Sequence, residues 1–408
     1  MLNVKLEKFS RWLMCSSNIS DITYMLFGYR LDTPQEAYHS ILKSFSRNPM
    51  KDKRRIEKIK SALDIWKDIG NTIASSSDNL LVPISGGLDS RLILSSIRQA
   101  SSNREISTFT FGPRGSFDYE YGALVAKHYK TKHVSYDLSD YNISKHIIDN
   151  RRFIKNPTNI LYMPPLSIIN SDFPPEKYTI ISGFMGDPSV GSHYPHRYGS
   201  DGLNYVFSKE TAEGVDRVSV SGFEDFEGSL RVYLRSNQLD SAIDIEKWDI
   251  ANRQAFGILP KVQYAHYAYK FPFLDSAWLK LCSGLPISEL RGLKFYNAFL
   301  AEFDLAGFTL PTKNYLGAGV PSIPTQNLKW RYGQLNRKLN IRKFRKMGAN
   351  YFDTDDIHWQ IWQDRKITAV EKISALPLIT NPDIDGLLKA NRQEFSNYVN
   401  LIGLGLGA

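Results

Sequence analysis

The stretch Ser85-Gly-Gly-Leu-Asp-Ser90 constrains this chain more than any other. It follows a short apolar run, Asn79-Leu-Leu-Val-Pro-Ile84, and precedes Leu92-Ile-Leu94 and Ile97, whose spacing is helical. The unit reads as strand, glycine turn, helix. Gly86 and Gly87 allow close backbone approach and positive φ, while Ser85, Ser90 and the free amides that follow Leu88 at the helix start can cradle phosphate oxygens. Bare phosphate would repel Asp89, so this residue makes sense there as a ligand of a divalent cation, magnesium being expected, that bridges to the phosphates. The plain alternative is a Gly-Gly turn with Asp89 or Ser90 as an ordinary helix cap, and the strand–turn–helix context favours the cradle.

The same alternation continues on either side. Ile56, Ile59, Leu63, Trp66, Ile69 and Ile73 recur at helical steps over 55–74, and strands are expected at 106–111, 132–136 and 178–182 with a helix over 119–128. The expected class is α/β, a parallel sheet with flanking helices and its ligands at the carboxyl ends of the strands. After about residue 240 the strand signals fade, and 244–258 and 294–303 have helical spacing, so the C-terminal half is expected to be largely helical. Residues 200–236, polar and rich in Gly and Ser, suit a long loop or insertion. The expected organisation is a short N-terminal segment (1–54), a main unit (55–320) and a helical extension (321–408).

At 408 residues, with 42% hydrophobic and 23% charged residues, the chain can bury a sizeable core, which excludes disordered and low-complexity classes. No apolar run approaches the roughly 18 residues of a membrane-spanning helix. Lys5, Glu7, Lys8 and Arg11 interrupt any signal-peptide core, and Cys15 and Cys282 support neither a disulfide framework nor a cysteine zinc site. A cytoplasmic location is expected. His193, His196 and His266 match no helical metal-ligand spacing, and His133 is expected to belong to the packing of its strand. The net charge of +9 gathers at 51–55 and 337–346, where solvated helix faces are the plainer reading over a nucleic-acid patch.

Ser85 to Ser90 resemble the PP-loop of the N-type ATP pyrophosphatases, a group of adenine nucleotide alpha hydrolase-like fold that cleaves ATP to AMP and pyrophosphate while activating a substrate oxygen. Within that group, Thr108-Phe-Thr-Phe-Gly112 with Phe117-Asp118-Tyr-Glu120, Ser182-Gly-Phe-Met-Gly-Asp187, and Phe271-Pro-Phe-Leu-Asp275 followed by Lys294 are similar to the synthetase domain of asparagine synthetase. The resemblance implies that Thr110 and Phe111 line an adenine pocket. It also implies that Gly183 and Gly186 shape a second loop whose Asp187 is a magnesium ligand opposite Asp89, and that Lys294 contacts pyrophosphate.

Three departures stand beside it. Residue 2 is Leu2 rather than a nucleophilic Cys, so the glutaminase domain of the glutamine-dependent relatives is expected to be missing. Ammonia, a separate glutaminase subunit or an amine of the substrate would then supply nitrogen. Phe184 and Ala268 stand where the synthetase has Glu, which speaks against asparagine as product. Tyr267, Tyr269 and His266 are alternative proton acceptors. Arg91, where Ser is usual, could meet an acidic substrate or a phosphate, or point into solvent.

The resulting expectation is an ATP- and magnesium-dependent amide-forming ligase acting on a small-molecule or peptide carboxylate, with Asp89, Asp187 and Lys294 carrying the chemistry. The alternatives are a tRNA-modifying PP-loop enzyme and a catalytically inactive scaffold subunit.

Overall fold

Leu80, Leu81 and Val82 are all buried, with at most 1% of their surface exposed, as a strand covered on both faces requires. They form β1 (Asn79–Pro83), the middle of a five-stranded sheet with β2 (Ile106–Gly112), β3 (Lys132–Asp137), β4 (Tyr178–Ile181) and β5 (Ala268–Lys270). The order is β3-β2-β1-β4-β5 and every pairing is parallel, with Leu80 opposite Ile106 on one side and Thr179 on the other. The computed structural model describes residues 54–112, 114–138, 164–192, 254, 259, 263, 266–315 and 317–320. The expectations for 1–53, for 200–236, for the basic stretch at 337–346 and for the 321–408 extension lie outside the described residues, as do Cys15, His193, His196 and all of 244–258 except Gln254.

The helices are α1 (Arg55–Ala74), α2 (Asp89–Ala100), α3 (Phe117–His128), α4 (Leu166–Asp172), α5 (Gly186–Ser189), α6 (Ser276–Ser283), α7 (Ile287–Leu290), α8 (Lys294–Phe303) and α9 (Leu305–Phe308). The expected α/β class, with flanking helices and a helical part after the sheet, is what the chain adopts. Two expectations need correction. A strand follows residue 240 after all, for β5 pairs Ile180 with Tyr269. It is a three-residue edge strand with Ala268 exposed, too short to show a hydrophobic period. Ile56 is 67% exposed, whereas Trp66, Ile69 and Ile73 bury the face that it was expected to share.

The core on this side of the sheet is aromatic. Trp66 of α1 meets the Phe273 ring edge-on at 4.7 Å and Trp278 of α6 at 5.5 Å, and Trp278 lies 5.7 Å from Phe299 of α8. Phe273 is fully buried and Phe271 and Leu274 pack against it, so the Phe271 to Asp275 stretch is core ended by a cap. Asp275 caps α6 by accepting from the Ala277 and Trp278 amides. Gly70 lets α1 and α2 approach, since a Cβ there would lie 2.5 Å from the Ser96 carbonyl oxygen.

Chain direction sets the site. From β1 the chain moves outward to β2 and β3, then returns to lay β4 on the opposite side of β1. The crevice at the carboxyl ends of β1 and β4 is therefore the switch point at which open parallel sheets bind ligands.

Candidate functional site

The loop leaving β1 is held by its own side chains. The Ser85 amide donates to Ser90 Oγ at 3.3 Å, and the Gly87 amide donates to Ser85 Oγ at 3.1 Å. The Gly86 amide donates to the buried Asp118 carboxylate of α3 at 2.8 Å. A Cβ on Gly86 would come within 2.7 Å of the Phe117 carbonyl oxygen, so only glycine fits. Leu88 gives α2 no side-chain cap, which leaves its first amides facing the crevice mouth without one.

A second segment, far along the chain, closes over this loop. The Gly86 carbonyl accepts from the Lys313 amide at 2.9 Å and from the Thr312 hydroxyl at 2.8 Å. Lys313 Nζ pairs with Asp118 at 3.0 Å while keeping about a quarter of its side chain exposed. The space above Gly87 is bounded by Ser85 Oγ, Lys313 Cε and Asn314 Oδ1, at 3.1, 3.4 and 3.7 Å from where a Cβ would stand. A hydroxyl, the Lys313 stem, whose ammonium reaches Asp118, and the Asn314 amide oxygen thus line the space above the loop.

The loop leaving β4 brings the second carboxylate. Met185 takes a left-handed conformation (φ 71°), uncommon for a residue with a side chain, and turns the chain back so that the Asp187 amide donates to Asp89 Oδ2 at 3.0 Å. Gly183 and Gly186 make this approach possible. A Cβ on Gly186 would lie 2.1 Å from Asp89 Cγ, and one on Gly183 would lie 3.4 Å from Asp89 Cβ. Ser189 anchors the loop from below, donating to the Gly186 carbonyl at 2.8 Å and accepting from Trp278 Nε1 at 3.2 Å.

Asp89 thus receives one donor on each oxygen, the Asp187 amide on Oδ2 and the Tyr296 hydroxyl on Oδ1 at 2.9 Å. Burial, and then the neighbouring Asp187 charge, push its proton affinity well above the ordinary carboxylate range, and these two donors oppose that only in part. A divalent cation would relieve both penalties. Magnesium takes one or two carboxylates and completes its shell with phosphate oxygens and water, so two carboxylates beside a glycine loop and uncapped helix amides suit it. Among the described residues no group of three or more His, Cys, Asp or Glu offers an all-protein metal cage.

The other expected residues are distributed as follows. Thr110 is buried near the end of β2 and donates to the Asp118 carbonyl at 3.0 Å, while Phe111 beside it is half-buried. Lys294 is exposed at the start of α8, where its carbonyl accepts from Arg55 Nη2 at 3.0 Å; Tyr296, two residues on, is the one that reaches Asp89. Phe184 is buried and edge-on to Phe271 at 5.7 Å. Of the alternative proton acceptors, Tyr267 donates its hydroxyl to the Phe173 carbonyl and burial pushes it well above the ordinary phenol, which removes it from that role. His133 lies on β3 between Thr108 and Ser135, and Cys282 is buried in the core. Arg91 needs correction, because its side chain faces neither phosphate nor solvent but is fully buried.

Sequence reasoning missed Lys313 and Tyr296. Pro311-Thr-Lys-Asn314 carries a turn signature, but nothing in it announces a return to residue 86.

Residues 74–166 match the family model described as asparagine synthase. This segment of the chain is asparagine synthase-like. The match spans β1, the glycine loop, α2, β2, α3 and β3, less than a quarter of the chain, and so includes Asp89 and Asp118 but not Asp187, Tyr296 or Lys313. It relates the chain in general terms to ATP-dependent amide ligases. No curated protein matches the sequence. Among the described residues no helix is long and apolar enough to cross a membrane.

Proposed function

We propose that the chain is an ATP-dependent carbon–nitrogen ligase whose working unit is residues 55–320. It adenylates a substrate carboxylate, with release of AMP and pyrophosphate, and transfers the acyl group to ammonia or an amine. The observation that carries this reading is the meeting of Asp89 and Asp187 at the switch point, amide to carboxylate at 3.0 Å, beside a glycine loop.

In the first step a carboxylate oxygen bonds to the α-phosphorus of ATP as the bond to the pyrophosphate oxygen breaks. In the second the amine nitrogen bonds to the acyl carbon, AMP leaves with the electrons of the C–O bond, and the amine proton passes to a base. Magnesium, held by Asp89 and Asp187, would supply positive charge to the phosphates. The uncapped first amides of α2 and the Ser85 hydroxyl receive the phosphate oxygens, and Lys313 neutralises the charge that develops on the leaving pyrophosphate. Lys313 takes this role in preference to Lys294 because it stands at the loop. Thr110 and Phe111, at the end of the neighbouring strand, flank the adenine. Most of the catalysis is positioning.

Phe184 and Ala268 contribute no carboxylate, so the product is an amide other than asparagine, made on a sugar acid or a peptide in a bacterial biosynthetic pathway in the cytoplasm. Free ammonia, a separate glutaminase subunit or a substrate amine provides nitrogen, and Tyr269 and His266 are the proton acceptors that stay open.

The test is magnesium-dependent ATP consumption with pooled small-molecule extract, resolving AMP plus pyrophosphate from ADP plus phosphate, beside Asp89→Asn. AMP and pyrophosphate lost in the variant support the ligase. No turnover together with no magnesium–ATP binding by calorimetry would overturn it in favour of a scaffold subunit, and salt-sensitive RNA binding with RNA-dependent AMP release would point to tRNA modification.

A further inference from the structure

Arg91 is fully buried, and among the described residues its guanidinium is met by backbone carbonyls, with Asp304 near enough to favour its charge. Its Nη1 donates to the Gly307 and Leu310 carbonyls at 3.2 and 3.0 Å, and its Nη2 to the Pro311 carbonyl at 2.8 Å. The guanidinium also lies 6.0 Å from the centre of the Phe308 ring. Burying a guanidinium is costly, and an apolar side chain would fill the same volume without that cost. Three carbonyls from one short segment suit the long, rigid fork of an arginine better than the compact point charge of a lysine.

That segment leads directly into the site. Thr312 and Lys313, the two residues after Pro311, are the pair that bonds the Gly86 carbonyl and runs the lysine stem past Gly87 to Asp118. The far end of the segment hangs from the same helix: Asp304 caps the Gly307 amide at 2.9 Å and accepts from Ser95 of α2 at 2.6 Å. Asp89 and Arg91 are two residues apart on α2 and so project from different faces of it. One face carries the carboxylate of the cation site. Another holds the segment that carries the phosphate lysine.

We propose that Arg91 is a positioning residue that fixes the 307–313 segment so that Lys313 stands over the glycine loop, and that it acts on phosphate binding through Lys313 alone. The affinity part of this inference rests on the ATP-ligase reading; the positional part does not.

The experiment has two arms on the full chain. Hydrogen exchange of the Lys313 amide, bonded to Gly86 O, is compared in wild type, Arg91→Met and Arg91→Lys, with β1 amides as the internal measure of folding. Exchange at Lys313 is expected to rise roughly tenfold or more in Arg91→Met with β1 unchanged, and to be partly restored in Arg91→Lys. Lys313 exchange that tracks β1 in both variants would overturn the proposal whether or not ATP binds. In the second arm magnesium–ATP is titrated calorimetrically into wild type, Arg91→Met, Lys313→Ala and the double variant. Arg91→Met is expected to weaken binding about tenfold in wild type and to add almost nothing in Lys313→Ala. Equal losses in both backgrounds would mean a merely structural arginine, and absence of binding to wild type would sink the ligase reading while leaving the exchange result standing.

Discussion

The Tyr296 hydroxyl donates to Asp89 Oδ1 at 2.9 Å while the Asp187 amide takes Oδ2, so helix α8 and the loop after β4 hold one carboxylate at the start of α2 between them. Partners that orient a metal ligand typically matter by ten- to a hundredfold in affinity. Tyr296→Phe keeps the ring and removes the donor, and it is expected to weaken magnesium–ATP binding about tenfold by calorimetry. Unchanged affinity would remove Asp89 from the list of cation ligands.

Gly186→Ala tests the closeness of the two loops. The new methyl would stand 2.1 Å from Asp89 Cγ, so either the second loop or the carboxylate must move. Magnesium–ATP binding is expected to fall at least about a hundredfold by calorimetry, as for loss of a fixed ligand geometry. Far-UV circular dichroism should stay unchanged, because α5 is a single turn. Wild-type affinity in the alanine variant would show that the Asp89–Asp187 approach is dispensable.

The two candidate lysines separate cleanly. Lys313→Ala removes the ammonium beside the glycine loop and leaves the buried Asp118 carboxylate with the Gly86 amide but no cation, whereas Lys294→Ala trims an exposed side chain. Pyrophosphate affinity is expected to fall about tenfold or more in Lys313→Ala and less than about twofold in Lys294→Ala. The reverse order would return the role to Lys294.

How much of this could be read beforehand depends on distance along the chain. The strands β1, β2 and β4 are buried along most of their length, β1 announcing itself as an apolar run and β2 and β4 by their β-branched and aromatic residues, and Ser85 to Ser90 carries its chemistry within six residues. Lys313 lies 195 residues from Asp118, and local pattern holds no record of that meeting. Arg91 misled for a related reason. Adjacency to Asp89 in sequence suggested the site, but a helix turns consecutive side chains by about 100°, so i and i+2 diverge. Ile56 kept the helical period yet stayed exposed, because it belongs to the first turn of α1, beyond the reach of the aromatic core.

His133 gives the protein an acid sensitivity of its own. Burial lowers its pKa from the ordinary 6.5 to about 4, against the opposing pull of Thr108. Between those values the unfolded chain binds a proton that the folded chain refuses, so stability rises with pH across the window and is lost as pH falls from 6.5 towards 4. Allowing for its partial exposure, about 1–2 kcal/mol is expected to disappear between pH 7 and pH 4.5. Urea midpoints measured at both pH values should differ less in His133→Gln, and an identical difference would remove His133 as the cause.

Trp278 sits where core and site join. Trp278→Ala is expected to cost about 3–5 kcal/mol by urea denaturation, as for other buried aromatic truncations. Trp278→Phe retains most of the packing and loses the bond to Ser189, for which about 1 kcal/mol is expected. A loss below about 1 kcal/mol in the alanine variant would contradict the aromatic core described above.

Because β1 and β4 are neighbours in the sheet but are joined only after the chain has travelled out to β3 and back, the residues that meet at the crevice are separated by 98 positions for Asp89 and Asp187 and 207 for Asp89 and Tyr296. During translation the glycine loop emerges from the ribosome long before the residues that meet it. A growing polypeptide carries the glycine turn and one acid while its partner acid, tyrosine and lysine are still unmade. For the ligase proposed above, nucleotide capture would begin only when synthesis has passed the last of these residues, and a prematurely terminated product would spend no ATP.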